Sequence, residues 1–157
     1  MTIAIIANPE KYAVQEPLEL LLRSASKAGI TVHLSSKLYQ FLEENNHDCL
    51  YPATSEEEAI KKADVIVSIG GDGTMLYTAQ LIKDSGKPVL GINCGRLGFM
   101  ANISQDSIEK AVMALLNKDY QIEYRSMLSA TTDSGKKYFA LNEFLFSKKD
   151  TASLISI

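Results

Sequence analysis

Tryptophan is absent from this chain, and cysteine is nearly so: only Cys49 and Cys94 occur among 157 residues. Two thiols build no disulfide framework, so a reducing, cytoplasmic setting is expected. Positive charge is not in excess either. Sixteen Lys and Arg against nineteen Asp and Glu leave a net charge of −3, and the basic residues are scattered. That argues against nucleic-acid or membrane-surface partners. No apolar run approaches the ~20 residues needed to cross a bilayer. Met1-Thr2-Ile3-Ala4 lacks the basic start of a secretory signal and reads as a first strand. Histidine is scarce, and His33 and His47 stand in no recurring spacing with acids or cysteines, so a structural zinc site is not expected. His33 reads as a strand residue and His47 as a solvated loop residue. Two standard phosphate motifs are also missing. Gly86-Lys87 is followed by Pro88, which breaks a P-loop pattern, and Leu76 stands where a dinucleotide fingerprint needs its third glycine.

Apolar residues make up 46% and charged residues 22%, the ordinary balance of a soluble globular protein. The most informative stretch is Gly70-Gly71-Asp72-Gly73-Thr74. Before it, Val65 to Ser68 is β-branched and apolar, a buried strand. After it, Met75 to Ile82 reads as a helix, with Thr74 placed to cap it. Glycines at such a strand–helix turn allow close approach to the main chain, and the amides and dipole of the helix start suit a phosphate. Asp72 is out of place in an anion site unless it takes a proton, holds a metal or does both. The plainer reading is a tight turn with Asp72 as a second capping group.

Elsewhere the periodicity alternates between strand and helix. Ile3 to Ala7 is a strand ended by Asn8-Pro9. Leu18, Leu21, Leu22 and Ala25 form one helical face, which Gly29 is placed to end as a left-handed cap. Ile30 to Leu34 is a second strand. Ser35 or Ser36 caps a helix bearing Leu38, Phe41 and Leu42, broken at Asn45 to Asp48. Ser55 and Glu58 make a capping box. Gly86-Lys87-Pro88 closes the central helix, and Val89 to Asn93 is another strand. This order predicts an α/β fold, a parallel sheet with flanking helices. Ligands of such sheets bind beyond the carboxyl ends of the strands, where the second glycine loop, Gly95-Arg96-Leu97-Gly98-Phe99, also falls.

After about Ala101 the pattern changes. Ile108, Ala111, Val112 and Leu115 share a helical face. Tyr120, Ile122 and Tyr124 then alternate with polar residues as a strand would. Asp133 to Lys136 is a turn between Leu128–Thr132 and Tyr138–Phe146, and Thr151 to Ile157 is a last β-like run. We expect an α/β nucleotide-binding domain over 1–101 and the beginning of a β-rich domain over 102–157, left incomplete or completed by another chain. Cys94 reads as a small buried apolar residue, Arg96 as a phosphate or solvent contact, and Lys148-Lys149 as a solvated turn. Asn142-Glu143 taken alone reads as two polar residues on an edge strand.

Three signatures together, Gly70-Gly71-Asp72-Gly73-Thr74, Gly91-Ile92-Asn93-x-Gly95-x-Leu97-Gly98-Phe99 and Leu141-Asn142-Glu143, make the sequence resemble the NAD kinases across nearly the whole chain. The first motif is shared with diacylglycerol-type lipid kinases and phosphofructokinases; the other two narrow the match. The resemblance implies a Rossmann-like fold. It implies transfer of the ATP γ-phosphoryl group to the 2′-hydroxyl of the adenosine ribose of NAD, with Asp72 as proton acceptor. Gly70, Gly71, Gly73, Thr74, Gly95, Leu97 and Gly98 would line the nucleotide, Asn142 and Glu143 would hold its ribose, and Phe99 would meet the base. It further implies a divalent metal, usually Mg²⁺, and a homo-oligomer. A later family segment of the form D-G-[LIV]-x-x-[ST]-T-P-T-G-S-T-A-Y has no counterpart here. A lipid or sugar kinase, or a non-catalytic nucleotide-binding module, are the alternative readings.

Overall fold

The computed structural model describes residues 1–45, 51–95 and 98–145. The chain runs β1 (Thr2–Ala7), α1 (Gln15–Lys27), β2 (Thr31–Ser35), α2 (Ser36–Glu44), β3 (Ala53–Thr54), α3 (Glu56–Lys62), β4 (Val65–Gly70) and α4 (Asp72–Ile82). It continues through β5 (Val89–Asn93), β6 (Ile103–Ser104), α5 (Ile108–Asn117), β7 (Leu128–Thr131) and β8 (Lys137–Ala140). The first six strands form one parallel sheet in the order β3-β2-β1-β4-β5-β6. The chain winds outward from β1 to β3, then returns to the other side of β1 with β4. The carboxyl ends of β1 and β4 therefore flank a topological switch point.

The strands at the centre are apolar on both faces because helices cover both. Along β1, Ile3 and Ile5 enter the larger core with α1, α2 and α5, while Ala4 and Ile6 enter the smaller core with α3. β4 divides in the same way, with Val65, Val67 and Ile69 on one face and Ile66 on the other. Alternation of side chains across a strand accounts for both assignments. α5 packs against α1 and places Ile108, Val112 and Leu115 in the larger core. The antiparallel β7–β8 hairpin stands apart from the sheet, with β8 against α4.

Local signals are realised at several points. Gly29 takes φ +67° just after the Ala28 cap of α1. Ser35, not Ser36, caps α2: its Oγ accepts from the Leu38 amide at 3.3 Å. Ser55 accepts from the Glu58 amide at 3.2 Å to start α3.

Other expectations are corrected. α4 begins at Asp72, with Gly71 as its cap and no capping side chain, so Thr74 lies inside the first turn and caps nothing. α4 ends at Ile82 with Lys83 at φ +52°, ahead of Gly86-Lys87-Pro88. Tyr120 to Arg125 forms no strand; Tyr124 is 89% exposed, and alternating polarity without a pairing partner leaves the segment outside any sheet. β8 stops at Ala140, so Asn142 and Glu143 lie beyond it in irregular chain. The two-residue strands β3 and β6 are too short to show any period. His47, Cys49, Lys148-Lys149 and the run from Thr151 to Ile157 lie outside the described residues.

The cap assignment generates a test. Ser35→Ala should lower the free energy of urea unfolding by about 1 kcal/mol, and Ser36→Ala should stay within about 0.5 kcal/mol of the parent. Equal effects would return the cap to ambiguity.

Candidate active site

The site grows out of the junction of β4 and α4. β4 runs to Gly70, and Gly71 stays extended at φ −104° before the helix turns at Asp72. The side chain of Thr74 folds back over Gly70, where a Cβ would collide with its hydroxyl. One turn on, Thr78 Oγ1 donates to the Thr74 carbonyl at 2.8 Å and lies 3.0 Å from Ser68 Oγ. Ser68 and Thr78 are both buried, and their mutual bond satisfies them there. This polar seam ties α4 to β4 and fixes where its positive amino end, which has no capping side chain, points.

Asp72 reaches sideways from that end to the next loop. Its Oδ2 accepts the Phe99 amide at 3.1 Å and its Oδ1 the Met100 amide at 3.0 Å. The Met100 and Phe99 amides, in that order, hold the Asp72 carboxyl below its ordinary pKa of 3.8, against a smaller opposing effect of burial. Asp72 is therefore ionised at neutral pH. Gly98 lies against the same carboxylate, and any Cβ there would overlap Asp72 Oδ1. Phe99, whose amide is held, leaves its ring 93% exposed.

The loop after β5 has a second anchor that sequence reasoning missed. Asn93 is buried; its Oδ1 accepts the Gly95 amide at 2.8 Å and its Nδ2 donates to the Ala101 carbonyl at 3.3 Å. The available signal was the Asn-x-Gly spacing, which favours a side-chain-closed turn. The Cys94 amide donates to the Gly70 carbonyl at 3.3 Å, carrying β4–β5 pairing into the loops. Cys94 itself is half-buried rather than buried. Burial raises its thiol pKa, and the nearby charge of Lys11 works more weakly against that rise.

The expected site residues thus separate. Gly70, Gly71, Asp72, Gly73, Thr74, Gly95, Gly98 and Phe99 come together at the carboxyl ends of β4 and β5. Leu97 and Arg96 lie outside the described residues. Asn142 and Glu143 are exposed and make no hydrogen bond or ion pair among the described residues. The glycines also divide by their surroundings: Gly70, Gly91 and Gly98 have no room for a Cβ, whereas Gly71, Gly73 and Gly95 face open space. Among the described residues no three His, Cys, Asp or Glu cluster in a way that would hold a metal ion, and no helix is long and apolar enough to cross a membrane.

The clamp on Asp72 has a pH signature. Because the folded carboxyl titrates below its ordinary value of 3.8, its contribution is complete above that value and is lost as pH falls through the folded pKa. Urea unfolding of the parent and of Asp72→Asn, compared from pH 7 to pH 3, should give a stability difference that shrinks in the acid range. Gly98→Ala should loosen the same contact, read as faster hydrogen exchange at Phe99 and Met100.

The description of the ATP-NAD kinase N-terminal domain matches residues 3–120. The chain is 34% identical over 164 aligned positions to the NAD kinase of Flavobacterium psychrophilum, covering 100% of this chain and 56% of that protein. It is 32% identical over 160 positions to the NAD kinase of Bacteroides fragilis, covering 100% and 55%. Yeast NADH kinase, solved in complex with NADH, shares the fold at a TM-score of 0.73 and 18% identity, over 89% of this chain and 46% of that one. The chain spans about half the length of the curated relatives it matches. Its parallel sheet, its two glycine loops and these matches agree, and the chain belongs to the ATP-NAD kinase N-terminal domain family.

Proposed function

We propose that this chain supplies the phosphoryl-transfer half of an NAD kinase, moving the γ-phosphoryl group of ATP to the 2′-hydroxyl of the adenosine ribose of NAD to give NADP. The observation that supports this most is Asp72. It is an ionised carboxylate at the head of α4 that joins the loops after β4 and β5. In this reading Asp72 receives the proton of the attacking ribose hydroxyl. The open faces of Gly71, Gly73 and Gly95 admit nucleotide oxygens to the backbone. The exposed ring of Phe99 takes an adenine face. Asn142 and Glu143 serve the ribose, and Leu97 completes the nucleotide-binding set that the family resemblance implies.

Phosphoryl transfer asks for positioning and charge neutralisation more than for covalent chemistry. Mg²⁺, when bound, neutralises charge on the transferring phosphates. Such an ion is commonly bound through one or two carboxylates together with substrate phosphates, and Asp72 is the carboxylate of the turn that would hold it. We place a nucleotide-binding α/β unit over 1–101 and the start of a β-rich unit over 102–157; the packing of α5 against α1 supports extending the first unit through Asn117. A cytoplasmic homo-oligomer is the working assumption for the assembled enzyme.

Two variants test the roles. In a chain extended to the length of the relatives, Asp72→Asn should lower kcat by about 10²–10⁴ while nucleotide affinity stays within severalfold; near-normal kcat would remove Asp72 as the proton acceptor. Gly71→Val places its side chain in open space on extended backbone, so the protein should fold normally and bind ATP or NAD more weakly. Phosphorylation assays of the longer chain offering NAD, diacylglycerol and fructose 6-phosphate should give product only with NAD. Product from either of the others would favour a lipid or sugar kinase, and binding without turnover a non-catalytic module.

A further inference from the structure

A second concave surface lies on the same edge of the sheet, away from Asp72. Off the carboxyl ends of β1 and β2, a cleft of about 490 Å³ opens between the loop after β1 and the flank of α2. That volume is in the range of small-molecule sites. Its walls include Tyr12, Gln15, Phe41 and Glu44, with Glu10 and Lys37 facing each other across it. The Tyr12 ring is 91% exposed and has no packing role, while Phe41 rests against the core from behind. The Glu10–Lys37 pair is 3.2 Å apart, with side chains 75% and 64% exposed; so exposed a pair contributes little and opens readily.

We propose that this cleft holds the purine of the phosphoryl donor, and that Lys11 carries its triphosphate from there toward Asp72. The proposal rests on the kinase reading above and adds the donor's location to it. A transfer between two nucleotides needs two nucleotide sites whose reacting ends meet at one carboxylate. The acceptor is assigned to the β5 side, where Phe99 stands, which leaves the donor the side of β4 occupied by β1 and β2. Strand spacing puts β2 about 10 Å from β4, within reach of a ribose triphosphate.

The chemistry of the walls agrees. A purine offers a flat π face to Tyr12 and Phe41. The carboxylates of Glu10 and Glu44 accept hydrogen bonds and give none, so they suit the exocyclic amine of adenine. Glu10 is paired with Lys37, and the charge of Glu44 opposes phosphate in the cleft, which leaves the triphosphate to run outward along the loop. Lys11 is the next residue before Tyr12. Its ammonium makes no ion pair or hydrogen bond among the described residues, and its charge is felt at Cys94 across the switch point. The loop after β1 that carries Lys11 leaves the sheet between β2 and β4, which puts it between the cleft and the Gly70 turn.

The test separates base from phosphate. Calorimetric titration of this chain would use ATP and inorganic tripolyphosphate against the parent, Tyr12→Ala and Lys11→Met. Tyr12→Ala should weaken ATP about 5- to 100-fold and leave tripolyphosphate binding unchanged. Lys11→Met should weaken both. Parent-like ATP affinity in Tyr12→Ala, an equal loss of ATP and tripolyphosphate there, or no ATP binding by the parent would overturn the cleft assignment. NADP formation is read separately, in a chain extended to the length of the relatives. Turnover there with Tyr12-independent ATP binding would keep the kinase and reject the cleft. Tyr12-dependent ATP binding without phosphorylation of NAD by that longer chain would keep the cleft and reject the kinase.

Discussion

Two backbone amides on one carboxylate hold the carboxyl edge of this sheet together. Phe99 and Met100 donate to Asp72 across the gap between the loops after β4 and β5, and the geometry of both loops depends on that bridge. It works because its two banks are already fixed. On one, Thr74 over Gly70 and the Ser68–Thr78 contact lock α4 onto β4. On the other, Asn93 closes its own turn onto Gly95 and ties Ala101 back to the strand end. A carboxylate accepting two amides in a half-exposed position needs little else to stay ionised.

The bridge also sorts the glycines. Read as letters, the first motif is one glycine-rich turn. In three dimensions Gly70 makes room for Thr74 and Gly98 for the Asp72 carboxylate, while Gly91 lets Ala101 and Met75 close over β5. These three are required by the protein's own packing. Gly71, Gly73 and Gly95 have nothing where a side chain would stand, so packing among the described residues makes no demand for glycine there. In the proposed function, close approach of a ligand is left to these three positions.

What the sequence disclosed follows from how local each cause is. The central strands were legible because burial on both faces makes them continuously apolar, and the helix starts at Ser35 and Ser55 because a cap acts over three residues. The start of α4 was misplaced at Thr74 because a serine or threonine there is the usual signal, whereas Gly71 caps by its extended backbone alone. Tyr120 to Arg125 carries the period of a strand, but a strand also needs a neighbour, and sequence period does not supply one. The Asp72 clamp joins residues 27 and 28 positions apart; no local pattern encodes it. Lys11 and Tyr12 escaped notice for a similar reason, since their place beside the switch point is set by strand order.

In the proposed reaction a clamped aspartate looks at first like a poor choice for a proton acceptor, because whatever lowers its pKa also lowers its basicity. Within that proposal the conflict is resolved by counting lone pairs and by the timing of the transfer. An ionised carboxylate offers about four acceptor positions, and the two amides occupy one on each oxygen. The free positions can accept a ribose hydroxyl without releasing the loop, so holding the loop and receiving the substrate do not compete. In a loose phosphoryl-transfer transition state the nucleophile keeps its proton until bonding to phosphorus is under way, and bonding makes that hydroxyl strongly acidic. A weak base already in place then suffices. The same two hydrogen bonds that depress the pKa keep the oxygens aimed, and in a reaction governed by positioning the gain in aim outweighs the loss in basicity.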